Sequence, residues 1–125
     1  MHIFLNVQIY LMLNVKGATL CEVGKFDDAA KLIDEALRIR KDNLPEGHIA
    51  IAEAEEWMGN VFREKGKYDQ ALEFYQSSLD SKTKLFGGIH EEVGTAVYTL
   101  AITLDGAGKY VEAITNFKEV RLFVE

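Results

Sequence analysis

The sequence predicts an all-α fold, a right-handed superhelical solenoid of three helix–turn–helix repeats. Three observations predict it. A six-residue block returns twice at a fixed spacing. Apolar residues recur at helical intervals on both sides of each block. No strand pattern competes with them.

The block Gly24-Lys25-Phe26-Asp27-Asp28-Ala29 returns as Gly66-Lys67-Tyr68-Asp69-Gln70-Ala71 and again, at the same interval, as Gly108-Lys109-Tyr110-Val111-Glu112-Ala113. The register holds elsewhere: His48 with His90, Leu37 with Leu79, Leu20 with Phe62 and Leu104, Ile33 with Tyr75 and Phe117. A fixed period of this length marks stacked supersecondary units, none of which can bury its apolar face alone. Before the glycine, Ala54, Met58, Val61 and Phe62 fall at helical spacing, as do Val97, Leu100, Ala101 and Leu104. After it come Ala71, Leu72, Tyr75 and Leu79, then Ala113, Ile114, Phe117 and Val120.

Each glycine is where a first helix must stop and the chain reverse, because a residue just past a helix end takes a left-handed conformation that glycine adopts without steric cost. The aromatic two residues on covers that turn, and the alanine after it lets two helices approach. Asp27 and Asp69 stand where an N-cap or first-turn carboxylate favours the second helix. Pro45 with Gly47, and Gly87 with Gly88, punctuate the links between units. Helices are therefore expected at about 5–23, 27–42, 49–65, 69–85, 91–107 and 111–124, giving repeat units of about 5–42, 49–85 and 91–124 within one domain over 1–125. Leu20, Phe26, Ala29, Ile33, Ala54, Met58, Phe62, Tyr68, Ala71, Tyr75, Leu79, Leu104, Ala113 and Phe117 form the expected core. The last helix also carries Leu122, Phe123 and Val124 with no polar capping helix after it. That suggests a segment of a longer array, or self-association through terminal helices.

Composition limits function. Hydrophobic residues are 48% and charged residues 27%, so a packed core is expected and disorder is not. A formal net charge of −6 argues against a phosphate-binding surface, since nucleic-acid binding needs clustered Lys and Arg. The single cysteine, Cys21, excludes an internal disulfide framework and fits a reducing, cytoplasmic setting. The apolar stretch through Met1–Val15 lacks a leading basic segment and is short of the ~20 residues that span a bilayer, so a buried first helix is expected rather than a leader or membrane anchor.

Residues that could carry chemistry have simpler explanations. The three Gly-Lys pairs lack the glycine five residues earlier and the Ser or Thr that a phosphate loop requires, and their recurrence makes them turns. His48 and His90 have no second ligand at metal spacing; as repeat-linked residues they are expected to bond the link backbone or cap a helix. Cys21 has no base or orienting group to activate it and is expected to pack as a small hydrophobe. No catalytic, cofactor-binding or metal-ligating residue is expected. Trp57, about 100° around the helix from Met58, either packs at the edge between units or faces outward as a binding anchor, with packing slightly favoured.

The pattern of Gly59, Phe62, Gly66, Tyr68, Ala71, Tyr75 and Ser78-Leu79 resembles the tetratricopeptide repeat. The third unit matches through Ala101, Leu104, Gly108, Tyr110, Ala113 and Phe117, and the first through Gly17, Leu20, Gly24, Phe26, Ala29, Ile33 and Ala36-Leu37. Ordinary repeats of the family are shorter, at about 34 residues. The 42-residue period and the links Gly47-His48 and Gly88-Ile89-His90 are similar to the kinesin light chain type. The resemblance covers nearly the whole chain. It implies a superhelix whose first helices line a concave, peptide-binding groove, and so a protein–protein interaction scaffold. The alternative is a structural spacer or self-association module without a peptide ligand. The family's Asn-Asn-Leu-Ala run is replaced by Glu56-Trp57-Met58-Gly59 and Tyr98-Thr99-Leu100-Ala101, so its clamping asparagines are missing at Trp57 and Thr99.

Glu53, Glu56, Asn60 and Arg63 share one helix face. The equivalent face of the next unit carries Thr95, Tyr98, Ile102 and Asp105, and that of the first carries Leu11, Asn14, Ala18 and Cys21. The resemblance turns these faces into the groove. The carboxylates outnumber Arg63, while Tyr98, Ile102 and Trp57 add apolar surface. The expected ligand is therefore a neutral or basic protein or peptide segment with an apolar anchor, not a nucleic acid or a membrane.

Overall fold

Helical periodicity broken by glycine and proline is what the backbone follows. A computed structural model describes residues 25–124, and these form five helices and no strand. They are α1 (Phe26–Asn43), α2 (Ile49–Glu64), α3 (Tyr68–Phe86), α4 (Glu91–Gly106) and α5 (Tyr110–Val124). Each boundary lies within a residue of its expected place. The helix expected at 5–23, with Leu11, Asn14, Ala18, Leu20, Cys21 and Gly24, lies outside the described residues. Each helix packs chiefly against its neighbours in sequence, which is the stacking of a helical-repeat solenoid.

The turn after α2 shows how the block works. Gly66 takes φ +77°, its N–H bonds the Arg63 carbonyl at 2.9 Å, and the Lys67 N–H bonds the Phe62 carbonyl at 2.8 Å. This pair of bonds is a Schellman ending, and it satisfies carbonyls the helix leaves open. Gly108 repeats it with Asp105 and Leu104. An added Cβ at Gly66 meets nothing within 4 Å, so only the backbone opposes a side chain there. Gly66→Val is expected to cost about 1–2 kcal/mol, the penalty of a β-branched residue in the left-handed region, read as a lower urea midpoint. No loss of stability would show that the turn relaxes freely.

The two histidines cap helices. His48 and His90 precede α2 and α4, and their Nδ1 atoms accept from the N–H groups of Ala50 at 3.0 Å and Glu92 at 3.1 Å. Asp27 and Asp69 lie inside the first turns of α1 and α3 rather than at the caps, which are Lys25 and Lys67. There they face the positive helix end. Asp27 is also bonded by Lys65 Nζ at 2.6 Å, and that ammonium holds its carboxyl below the usual carboxylate range. Stability gained this way is present above that range and lost as pH falls through it. It is small, because the pair is exposed.

Two core clusters form. Ala29, Ile33, Leu37, Ile51, Ala54, Met58 and Val61 join α1 to α2, while Ala71, Tyr75, Leu100, Leu104 and Ala113 join α3, α4 and α5. Phe62 packs against both and links them. Most of the expected core is buried, with four residues only partly so and one exposed. Phe26 and Tyr68 open their helices at the hairpin turn, where they stay partly exposed. Tyr68 does more than cover its own turn: its ring lies against Gly106, where a Cβ would fall 2.9 Å away. Phe62 bridges the clusters at their margin. Leu79 is less enclosed than its equivalent Leu37, which clusters with Ile51; the smaller Val93 stands in Ile51's place and does not join the second cluster. Phe117 is 37% exposed, because no described helix covers α5 as α4 covers Tyr75.

Candidate functional site

The candidate face is built on the first helices of two units, α2 and α4. Spacing along one helix brings Glu53, Glu56, Asn60 and Arg63 to one side of α2, and Thr95, Tyr98, Ile102 and Asp105 to one side of α4. Glu53, Thr95, Tyr98 and Asp105 are exposed, whereas Glu56, Asn60, Arg63 and Ile102 are partly buried. Trp57 is 36% exposed and joins neither core cluster. Most of its surface is covered, which fits packing at an edge, and the remainder is open to a ligand.

The partly buried members on α2 are held by α3. The Tyr75 hydroxyl donates to Asn60 Oδ1, and the Arg63 guanidinium lies over the Tyr75 ring at 5.7 Å. One tyrosine thereby orients two residues of the face. Lys82 Nζ bonds Glu56 Oε2 at 2.7 Å and stands 3.9 Å from Glu92 Oε2. Glu56 is therefore largely neutralised, and the exposed negative charge of the face rests on Glu53 and Asp105. On α4, Tyr98 meets the Phe117 ring edge-on at 6.0 Å.

Sequence reading did not single out the buried charged residues. Lys82 is only 4% exposed, and Arg40, its equivalent in the preceding unit, only 2%. Arg40 donates from Nη1 to the Ala50 carbonyl, and Lys82 faces Glu92, the residue equivalent to Ala50. Each cation thus stands at the junction between the end of a second helix and the first turn of the next unit, with Arg40 bonded across it and Lys82 bonded chiefly to Glu56 of its own unit. The signal was the shared repeat register of Arg40 and Lys82. Glu55 is buried too and accepts from the Ser77 hydroxyl.

Lys82→Met keeps the apolar stem and removes the charge. Glu56, 32% exposed, can then hydrate, so the expected cost is about 1–2 kcal/mol, below the ~3–5 kcal/mol of a fully buried pair. A urea titration measures it, and an unchanged midpoint would mean that the pair contributes nothing to stability.

Comparison with known proteins agrees with this architecture. A tetratricopeptide repeat family model matches residues 49–121, and another matches residues 11–50. The chain belongs to the tetratricopeptide repeat family, whose repeats generally serve as protein–protein interaction scaffolds. No curated protein matches it. Among solved structures it is similar to the nearly identical TPR-like repeats of a kinesin light chain candidate from Podosopora anserina, with TM-score 0.78 and 16% identity, covering 87% of this chain and 52% of that one. It is similar also to BtubC (BKLC) from P. vanneervenii, with TM-score 0.84 and 17% identity over 92% of this chain and 45% of that one. A TPR-like protein from Chlorobium tepidum superposes with TM-score 0.74 at 23% identity, covering 99% of this chain and 83% of that one. These likenesses are of fold, the kinesin light chain-like arrangement of repeats. The chain spans about half the length of the first two. No helix among the described residues is long and apolar enough to cross a membrane.

Proposed function

We propose that this chain is a non-catalytic scaffold that holds a neutral or basic peptide segment of a partner protein, anchored by an apolar side chain, against the face formed by α2 and α4. The observation that carries this reading is Tyr98, half exposed on the side of α4 that also presents Ile102 and Asp105. An aromatic ring with an apolar body and a polar tip is the residue type that anchors interfaces. Trp57 supplies a second such surface on α2. The exposed carboxylates Glu53 and Asp105 repel an anionic ligand and attract a cationic one.

Fluorescence anisotropy with paired peptides, one basic and one acidic around the same aromatic residue, tests it. The basic peptide is expected to bind about tenfold more tightly at low salt and to lose that advantage as salt is added. Tyr98→Ala should weaken both peptides, and Asp105→Asn only the basic one. Tighter binding of the acidic peptide, lost in Arg63→Ala, would overturn the reading.

A further inference from the structure

The other side of α4 carries a cleft that the candidate face does not explain. It is an open cleft of about 580 Å³ between α3 and α5, the second helices of adjacent units. Leu72, Leu100 and Leu104 form its apolar part, and Asp69, Glu73 and Glu112 its acidic edge with Lys109. Leu100 lies two residues from Tyr98, and Leu104 two from Ile102, each about 200° around the helix, so the cleft and the candidate face are back to back.

The repeat shows what this cleft is missing. In the preceding pair of units the equivalent place holds Phe74, packed against the first core cluster and stacked on Phe62 with ring centroids 5.6 Å apart. One period on, Phe74 becomes Asn116 and Phe62 becomes Leu104. Asn116 does not replace the lost ring: its Nδ2 donates to the Glu112 carbonyl of its own helix at 2.9 Å. The stacked pair is gone, and an opening with an apolar floor takes its place.

We propose that this cleft is a second peptide-binding site, which takes an aromatic side chain flanked by basic residues. The ring occupies the position that Phe74 fills one unit earlier. The basic neighbours answer the acidic edge, where three carboxylates face one ammonium and Lys109 already stands 3.5 Å from Asp69. Glu73 and Glu112 remain to receive a guanidinium, which a carboxylate binds in a fixed fork geometry. The volume lies within the range of ordinary ligand pockets. The site does not depend on the α2–α4 face.

The test uses the whole 125-residue chain with leucine methyls labelled for NMR. The probe is the blocked peptide Gly-Phe-Arg-Arg-Gly, with an alanine version as control. The phenylalanine peptide is expected to shift the methyls of Leu72, Leu100 and Leu104. Asn116→Phe, which restores the ring of the preceding unit, should weaken binding at least tenfold while circular dichroism stays helical. If that variant fails to fold, Glu73→Lys at an exposed position serves instead, and should weaken the same peptide about threefold or more. The proposal is overturned if those methyls do not move, if the alanine peptide binds equally well, or if the variant that folds binds like the parent. Shifts confined to residues around Tyr98 would also overturn it, while supporting the separate face proposed above.

Discussion

Tyr75→Ala is expected to lower stability by about 3–5 kcal/mol, the cost of deleting a buried aromatic ring. Tyr75 is 3% exposed and belongs to the cluster that joins α3, α4 and α5. It also holds Asn60 through its hydroxyl and lies beneath Arg63. Truncation thus opens a cavity between the second and third units and frees two residues of the candidate face. Set against a typical total of about 5–15 kcal/mol, this is a large fraction. In a chain whose stability is a sum of units and their interfaces, the loss falls mainly on one interface, so the melt should broaden as well as shift down by on the order of 10–20 °C. Tyr75→Phe separates the terms: it removes only the hydroxyl bond, at about 1 kcal/mol. If Tyr75→Ala costs no more than Tyr75→Phe in a urea titration, the ring is not part of the core.

Much of this arrangement was legible because the repeat encodes it redundantly. Glycine at the turn, alanine at the close approach and histidine at the link each recur with the same period, and among the described residues Gly66 and Gly108 turn the chain, Ala29, Ala71 and Ala113 are buried, and His48 and His90 cap helices. Three things were not legible from helix periodicity. Charged residues are seldom buried, so Arg40 and Lys82 read as solvated until their shared register is noticed. Glu56 looked like a groove charge because its partner Lys82 lies on another helix, 26 residues on, and spacing within α2 says nothing of it. Trp57 stands at the margin of the helix contact, where a small rotation decides between packing and exposure. The cleft beside Asn116 follows a similar logic. It is visible only when one unit is compared with the next, because it arises from two departures from the repeat rather than from a motif.

Gly59→Val tests a tight contact between α2 and α3 and is expected to cost about 3 kcal/mol, near the upper end of ordinary overpacking. Gly59 is buried in mid-helix, where replacing glycine would ordinarily help by reducing the backbone entropy lost on folding. Here a Cβ would fall 2.6 Å from Tyr75 Cε1, 2.8 Å from Cδ1 and 3.0 Å from Cζ. The ring cannot swing aside without giving up the Asn60 bond and its place in the second cluster. The clash therefore outweighs the helix-propensity gain, which is no more than about 1 kcal/mol even for alanine. The third unit offers a natural comparison: Ala101 stands in Gly59's place, and the ring equivalent to Tyr75, that of Phe117, is 37% exposed against 3%. A double-mutant cycle in urea isolates the contact. In a Tyr75→Ala background the obstructing ring is gone, so adding Gly59→Val should cost less than about 1 kcal/mol, with coupling of about 2 kcal/mol between the sites. Additive losses would show that the valine is harmful for another reason, and that Tyr75 does not require a glycine beneath it.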